Sequence, residues 1–249
     1  MVVGRLPGVE PRAAADALEE DLRAQGSAER AVQEKRYLKS SLTFNGTTLP
    51  QIERTVRVWT VAEPITTHDD LIALADALWS KPVHERRMAA VVLLERHRQL
   101  LTADDLPFLE RLIRESRTWA YLDALAANIV GPICAGAAGS GETLDRWAAD
   151  EDFWVRRSAL LSQLRPLRDG APLDRFAGYA DGMLDEKEFF IRKAIGWVLR
   201  EVGKQRPDAV VEWLTPRAKR ASGVTMREAV KYLPDEDADS LMKAHRRRT

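Results

Sequence analysis

The chain has 249 residues, of which 45% are hydrophobic and 31% are charged, a balance typical of a folded protein and unlike that of a disordered segment. Its 38 basic and 38 acidic residues cancel, so the net charge does not indicate a strongly basic nucleic-acid binder. The single cysteine, Cys134, excludes an internal disulfide and a thiolate metal cluster. No apolar run reaches about 18 residues, so we expect no membrane span and a cytoplasmic protein.

Helical spacing of apolar residues runs through the chain, whereas the alternation and tight turns of β-hairpins are missing. Proline and glycine separate the helical stretches, and residues such as Thr67 and Asp152 are suited to cap helix starts. These signals predict helices at 10–25, 28–41, 50–62, 67–80, 83–100, 104–116, 118–134, 141–149, 152–165, 172–184, 187–204, 207–221, 224–232 and 236–247.

Five segments repeat one pattern at intervals of about 35 residues, and their lead residues are His84, Trp119, Trp154, Phe190 and Thr225. Four of the five have a basic residue two positions after the lead and a small or apolar residue four after it. Two helices per repeat at this period are typical of HEAT-like arrays, whereas the tetratricopeptide signature is missing. The pattern predicts an all-α, right-handed α-solenoid with a concave face.

We interpret the chain as a single domain over 1–249. Residues 1–9 are predicted to be disordered, 10–65 to form an amino-terminal helical cap, and 66–249 to form the repeats.

One repeat departs from the pattern. There Tyr121 replaces the arginine, and Asp123 stands where the other repeats have Met88, Ser158, Ala194 and Ala229. A carboxylate on the packed side of a helix is costly unless it is paired or used. Asp123 is therefore a candidate functional residue, with Trp119 one turn before it. The alternative is a structural acid bridged to Arg157 or to a helix terminus.

Basic doublets recur at equivalent repeat positions: Arg86–Arg87, Arg156–Arg157 and Arg192–Lys193. Stacked repeats are expected to align them in a basic stripe on the concave face, where arginine forks bind phosphates. The alternative for the doublets is a solvated surface. For Trp119, Trp154 and Trp197 the alternative to a binding role is core packing.

The sequence contains no metal-ligand spacing, phosphate loop or serine nucleophile elbow, so we expect no metal and no cofactor. Aromatic residues, one carboxylate and arginines suit a polyanion that carries a cationic group. Glycoside hydrolysis generally needs two carboxylates, because the leaving group must be protonated. A base that is already positively charged leaves without an acid, and one carboxylate then suffices.

At these residues the sequence resembles the AlkD-type DNA alkylation repair enzymes, a HEAT-like-repeat family of alkylpurine DNA glycosylases. The segments that carry the resemblance are 153-FWVRRSALLSQL, 188-EFFIRKAIGWVLREVGK, 119-WAYLD, 37-YLKSS, 46-GTTLP and 225-TMREAVKYL, and together they span roughly 30–235.

The resemblance implies that Asp123 is the catalytic carboxylate, that Trp119 and Trp197 contact the lesion deoxyribose, and that Arg157 is the catalytic-site arginine. It also implies that Tyr37 lies against DNA near the lesion. Further DNA contacts are predicted from Lys39, Thr48, Arg86, Arg87, Trp154, Arg156, Arg192 and Lys193. The chain departs from the family at Thr118, Ala120 and Thr48.

The resemblance further implies a hydrolase for base-excision repair that releases 3-alkyladenine and 7-alkylguanine from duplex DNA without base flipping. No lysine is evident as a Schiff-base nucleophile, so we expect a monofunctional enzyme. A monomer is the simplest expectation, and in a bacterium the protein is expected near the nucleoid. The alternatives are a catalytically silent HEAT-like module that binds DNA and a protein scaffold, which the zero net charge favours.

Overall fold

The computed structural model describes residues 10–137 and 139–247, and these residues are predominantly helical. Within them the only β-type pairing is an isolated parallel bridge between Thr43 and Val83. The all-α prediction is confirmed, while the superhelical stacking of the repeats stays a prediction. The predicted disorder of 1–9 concerns residues outside the described part of the chain.

Sixteen α-helices occur in the described residues: α1 Pro11–Ala24, α2 Ala28–Leu38, α3 Leu49–Ala62, α4 His68–Trp79, α5 His84–Arg96, α6 Leu106–Ser116, α7 Trp119–Ala124, α8 Gly131–Gly136, α9 Gly141–Ala148, α10 Phe153–Leu161, α11 Leu164–Arg168, α12 Asp174–Met183, α13 Phe189–Gly203, α14 Pro207–Leu214, α15 Gly223–Ala229 and α16 Asp235–Arg246. Thr67 and Asp152 cap α4 and α10 through their side chains, as predicted. The stretch predicted as one helix at 152–165 is two helices, α10 and α11.

The stretch predicted as one helix at 118–134 contains a π-helical turn, Leu125–Val130, between α7 and α8. Pro132 explains it, because proline has no N–H and its ring crowds the carbonyl four residues earlier. Wider i−5 hydrogen bonding removes this conflict. Since π-turns recur at functional sites, a π-turn that begins two residues after Asp123 supports the interpretation of Asp123 as a functional residue.

The described residues form two compact units, one of 10–104 with 118–124 and the other of 105–117 with 125–247. In the first unit α5 packs against α3, α4 and α7, and in the second α13 packs against α10 and α15. Each unit has its own apolar core, with members such as Leu18 and Leu94 in the first and Trp147 and Ile195 in the second. The interpretation as a single domain with a cap over 10–65 stays a prediction.

Ion pairs in the second unit reproduce the repeat period. Arg114 binds Asp150 and Arg217 binds Asp181, each across 36 residues. Partly exposed pairs contribute about 0–1 kcal/mol each, so they mark equivalent positions of successive repeats more than they stabilise the fold. None of the helices in 10–137 and 139–247 combines the length and the apolar character of a membrane span.

Candidate functional site

Helix α7 in the first unit carries Trp119 and Asp123, four residues apart and therefore on one helix face. Thr118 caps it, with its Oγ1 accepting the Ala120 N–H at 3.4 Å. Both Trp119 and Asp123 are half-buried, whereas Ala194, equivalent to Asp123 in another repeat, is fully buried. Partial exposure lowers the cost of a carboxylate at this position and leaves one side of it accessible.

Tyr37 on α2 lies against Trp119. The two ring centroids are 5.9 Å apart and the rings are nearly perpendicular, at 85°. This is a favourable edge-to-face geometry for aromatic rings. Tyr37 is 72% exposed, so the pair presents an aromatic surface beside the helix that carries Asp123.

Six of the seven tryptophans divide into two groups by burial, and the seventh, Trp59, is partly buried without being a predicted site residue. Three are nearly inaccessible and belong to the cores: Trp79, Trp147 and Trp213. The three predicted as site residues, Trp119, Trp154 and Trp197, are each only partly buried. Core packing alone therefore does not account for these three, and part of each indole stays available for a ligand.

Tyr121, which replaces the repeat's arginine, is fully buried, and its Oη lies 2.6 Å from Nδ1 of His84. Burial, followed by the positive charge of Arg30, lowers the pKa of His84 from 6.5 to about 4. Burial also raises the pKa of Tyr121. Both groups are therefore neutral at pH 7, and their hydrogen bond joins the first residue of α5 to α7.

Glu85, the next residue of α5, holds the loop before α3. Its fully buried carboxylate accepts the backbone N–H groups of Asn45 at 2.9 Å, Gly46 at 2.6 Å and Thr47 at 3.3 Å. The position of Gly46 requires glycine, because its φ is +79° and a Cβ would lie 2.0 Å from a backbone carbonyl oxygen. The start of α5 thus fixes both this loop and α7.

Two predicted DNA contacts flank this loop. Lys39 is exposed and ends α2 in the left-handed conformation, with φ +48°. Thr48 starts α3, and its Oγ1 donates to Oε1 of Gln51 at 2.6 Å. The hydroxyl proton of Thr48 is therefore engaged in capping the helix.

The first arginine of each basic doublet serves the fold. Arg86, Arg156 and Arg192 each donate to backbone carbonyls of the preceding helix or turn, five to nine residues earlier. Such contacts satisfy carbonyls that helix ends leave without partners. The acceptors are Ala77 and Leu78 for Arg86, Asp150 and Glu151 for Arg156, and Glu186 for Arg192.

Arg86, which was predicted to contact DNA, is enclosed within the protein. It is 1% exposed, and its Nη1 also contacts the carboxylates of Asp16 at 2.6 Å and Glu19 at 2.7 Å. Moving it to a phosphate would leave the buried Glu19 without its main counter-charge. The prediction that Arg86 contacts DNA is wrong, and the recurrence of this basic position reflects backbone packing.

The second residue of each doublet has a different environment. Arg87 is half-buried, with its guanidinium carbon 5.0 Å from the Trp79 ring centroid, and Lys193 is exposed, with Nζ 6.0 Å from the Phe189 ring centroid. Arg157 is 2% exposed and donates from Nη1 to the carbonyl of Phe190. Among the second residues of the three doublets, Lys193 alone is exposed.

An aromatic cluster lies at the starts of α10 and α13 in the second unit. The rings of Trp154 and Phe190 are 4.8 Å apart between centroids, those of Phe153 and Trp154 are 4.5 Å apart, and Phe189 is 50% exposed. Trp197 lies seven residues after Phe190 on α13, two turns along one helix face. Sequence reasoning named none of the three phenylalanines as site residues, although an adjacent Phe-Phe pair at a helix start was a visible signal.

Neither metal nor thiol chemistry has a site among the described residues. No group of three or more His, Cys, Asp or Glu side chains there is arranged to hold a metal ion. Burial raises the pKa of the Cys134 thiol, so it is protonated at neutral pH and a poor nucleophile.

The family model of the DNA alkylation repair enzymes matches residues 18–233. A predicted DNA alkylation repair enzyme from Enterococcus faecalis has a similar structure, with 25% identity, a TM-score of 0.74, and coverage of 85% of this chain and 98% of that one. AlkD2 and smu.31, both from Streptococcus mutans, are each 16% identical, and this likeness shows the fold alone. AlkD2 has a TM-score of 0.62, and the match covers 90% of this chain and 99% of the AlkD2 chain. For smu.31 the TM-score is 0.57, and the match covers 89% of this chain and 100% of the smu.31 chain. Comparison with curated proteins gives no match.

The family model spans most of the length of this chain. The chain therefore belongs to the DNA alkylation repair enzymes, as the AlkD-type resemblance predicted.

Proposed function

We propose that this protein is a monofunctional DNA glycosylase that hydrolyses the N-glycosidic bond of cationic alkylated purines, 3-alkyladenine and 7-alkylguanine, in duplex DNA. Family membership gives a role in the repair of alkylated DNA, and the reaction is our inference. The observation that supports it most is the face of α7, where the Asp123 carboxylate and the Trp119 indole lie one turn apart beside the exposed ring of Tyr37.

The chemistry needs one carboxylate. A purine alkylated at N3 or N7 carries a positive charge and leaves as a neutral base without being protonated. As the bond from C1′ to the base nitrogen breaks, the positive charge moves to the sugar, where a carboxylate stabilises it. Water then adds its oxygen to C1′ and loses a proton to solvent, and an abasic site remains. Asp123 has both roles in the proposal, stabilising the sugar cation and orienting the water.

The aromatic residues suit the other half of the substrate. Indole and phenol faces attract cations, so Trp119 and Tyr37 are proposed to contact the charged base and its deoxyribose. This reaction at an accessible face does not require the base to be extruded into a closed pocket. Trp197 and Arg157 belong to the second unit. Trp197 is proposed to contact the deoxyribose, and Arg157 is proposed to direct its positive charge toward a phosphate. Both roles rest on the motifs of the resemblance.

DNA binding in the proposal uses residues that keep surface exposure. Lys39, Arg87, Lys193 and Trp154 are the main candidates, because each has an accessible or half-accessible side chain. Thr48, Arg156 and Arg192 contribute less, since their polar groups already bind other parts of the protein.

The direct test is mass analysis of the bases released from methylated duplex DNA, with the abasic product detected by alkaline strand cleavage. We expect release of 3-methyladenine or 7-methylguanine, with intact strands until alkali is added. DNA binding without any released base would contradict the proposal and identify a catalytically silent module. A DNA affinity that barely changes with salt would identify a scaffold for other proteins, because phosphate contacts make affinity fall steeply with salt.

A further inference from the structure

A groove of about 650 Å³ lies between α3 and the carboxyl end of α5 in the first unit. Arginines dominate its lining: Arg54 and Arg57 come from α3, Arg96 ends α5, and Arg98 follows it. Two carboxylates, Glu53 and Glu95, also line it. Four guanidinium groups against two carboxylates leave two positive charges in excess, and none of these residues belongs to the site described above.

The groove contains arginines that the fold does not use. Many arginines of the chain bind internal carboxylates, as Arg114 and Arg217 do. Arg54, Arg57 and Arg96, by contrast, are exposed, and their side chains make no hydrogen bond or ion pair within the described residues. Glu53 and Glu95 line the same groove without forming an ion pair with any of these three arginines, so the excess positive charge is available to an external anion.

The position of the groove separates it from the α7 site. Arg96 follows His84 by twelve residues, which corresponds to about 18 Å along α5. The groove therefore lies at the opposite end of α5 from the contact between His84 and Tyr121. Each DNA strand has one phosphate per roughly 3.4 Å of helix axis, so about five base pairs cover the same distance.

We propose that this arginine groove binds the phosphate backbone of duplex DNA that flanks the reacting nucleotide. The inference rests on the proposed function, since it takes duplex DNA as the ligand. Arg54 and Arg57 lie three residues apart on one face of α3, where their planar forks suit phosphate oxygens. Contacts of this kind hold DNA of any sequence and position it without reading bases.

The test compares two matched pairs of arginines on undamaged duplex DNA of about 25 base pairs, with affinity measured over a range of salt. The first variant is Arg54→Gln with Arg57→Gln. The control is Arg165→Gln with Arg168→Gln, which removes two exposed arginines at the same three-residue spacing from α11. We expect the groove variant to bind on the order of tenfold more weakly at low salt, with the slope of log affinity against log salt reduced by about 2. The control should match the wild type.

A second variant removes negative charge from the groove, where the first removes positive charge, and should change DNA affinity in the opposite direction. Glu53→Gln with Glu95→Gln removes the two carboxylates and should strengthen binding to the same duplex. The proposal is overturned if the groove variant binds like the wild type at every salt concentration, or if the α11 control loses as much affinity and slope.

Undamaged DNA keeps the two proposals separable. If the wild type releases no base, the glycosylase assignment fails while the comparison of arginine pairs remains valid. If base release is normal and the groove variant binds like the wild type, the groove proposal alone fails.

Discussion

The phenolic Oη of Tyr121 lies 2.6 Å from Nδ1 of His84, so the helix that carries Asp123 is hydrogen-bonded to the first residue of α5. In three other repeats the equivalent position holds an arginine that donates to backbone carbonyls of the preceding helix or turn. Here a neutral, buried pair replaces that contact. We expect the orientation of α7, and with it that of Asp123 and Trp119, to depend on this bond.

Tyr121→Phe tests the bond. It removes the hydroxyl and leaves the buried His84 nitrogen without this partner, so we expect a loss of about 1–2 kcal/mol in the free energy of unfolding. Base release should also slow, because α7 is held less firmly. Urea unfolding and single-turnover release measure the two effects. Tyr232→Phe, at a residue that is 49% exposed, is the control and should change neither. Equal stability of the Tyr121 variant and the wild type would contradict this account.

His84 predicts a pH dependence of stability. Its pKa is about 4 in the folded protein against 6.5 in the unfolded chain, so between these values only the unfolded state gains the proton. Lowering the pH through this window therefore destabilises the fold, by roughly 3 kcal/mol when complete, and the contribution is fully present above pH 6.5.

The measurement is urea unfolding between pH 4 and pH 7 for the wild type and His84→Gln. The variant should show a shallower fall in stability towards acid pH, because it lacks this titrating group while Arg30 and Glu85 remain. Parallel curves for the two proteins would show that His84 is not the source.

Glu85→Ala removes the acceptor of three backbone N–H groups in the loop before α3. Burying those donors without a partner should cost several kcal/mol of unfolding free energy. Hydrogen exchange at Asn45, Gly46 and Thr47 should accelerate more than elsewhere. Glu20→Ala, on the exposed side of α1, is the matched control and should stay within about 0.5 kcal/mol of the wild type. Unchanged exchange in the loop would refute the role assigned to Glu85.

Two glycine-to-alanine substitutions should change the stability of the protein in opposite directions. At Gly196, beside Trp197 on α13, an added Cβ would lie 2.7 Å from Cβ of Glu228 and 2.8 Å from the Thr225 carbonyl oxygen. Gly196→Ala should therefore destabilise the protein by about 1–3 kcal/mol. Gly178 on α12 has open space around it, so Gly178→Ala should stabilise by up to about 1 kcal/mol. Thermal unfolding distinguishes them, and a Gly196→Ala variant at least as stable as the wild type would contradict the packing of Gly196 against Thr225 and Glu228.

The sequence predicted the helices, the repeat period and the shared helix of Trp119 and Asp123 well, because each depends on local signals. Apolar spacing and breakers locate the helices, and Trp119 and Asp123 are neighbours within one turn. The π-turn was also predictable in principle from Pro132, whose ring cannot fit the interior of an α-helix.

Contacts between residues far apart in the sequence could not be predicted. His84 and Tyr121 are 37 residues apart, and nothing in their local sequence indicates a shared hydrogen bond. The basic doublets misled for a related reason. A residue that recurs at equivalent positions serves either a ligand or the fold, and the carbonyl contacts of Arg86 and Arg156 become visible only in three dimensions.

The central claim is that Asp123 acts on the sugar of an alkylated nucleotide. Asp123→Asn keeps the size of the side chain and removes its charge. Its single-turnover release of 3-methyladenine and 7-methylguanine from methylated duplex DNA, measured beside DNA affinity, is the most direct test. We predict that release falls by roughly 10²–10³-fold while affinity stays within a few-fold of the wild type. Release at the wild-type rate would contradict the assignment.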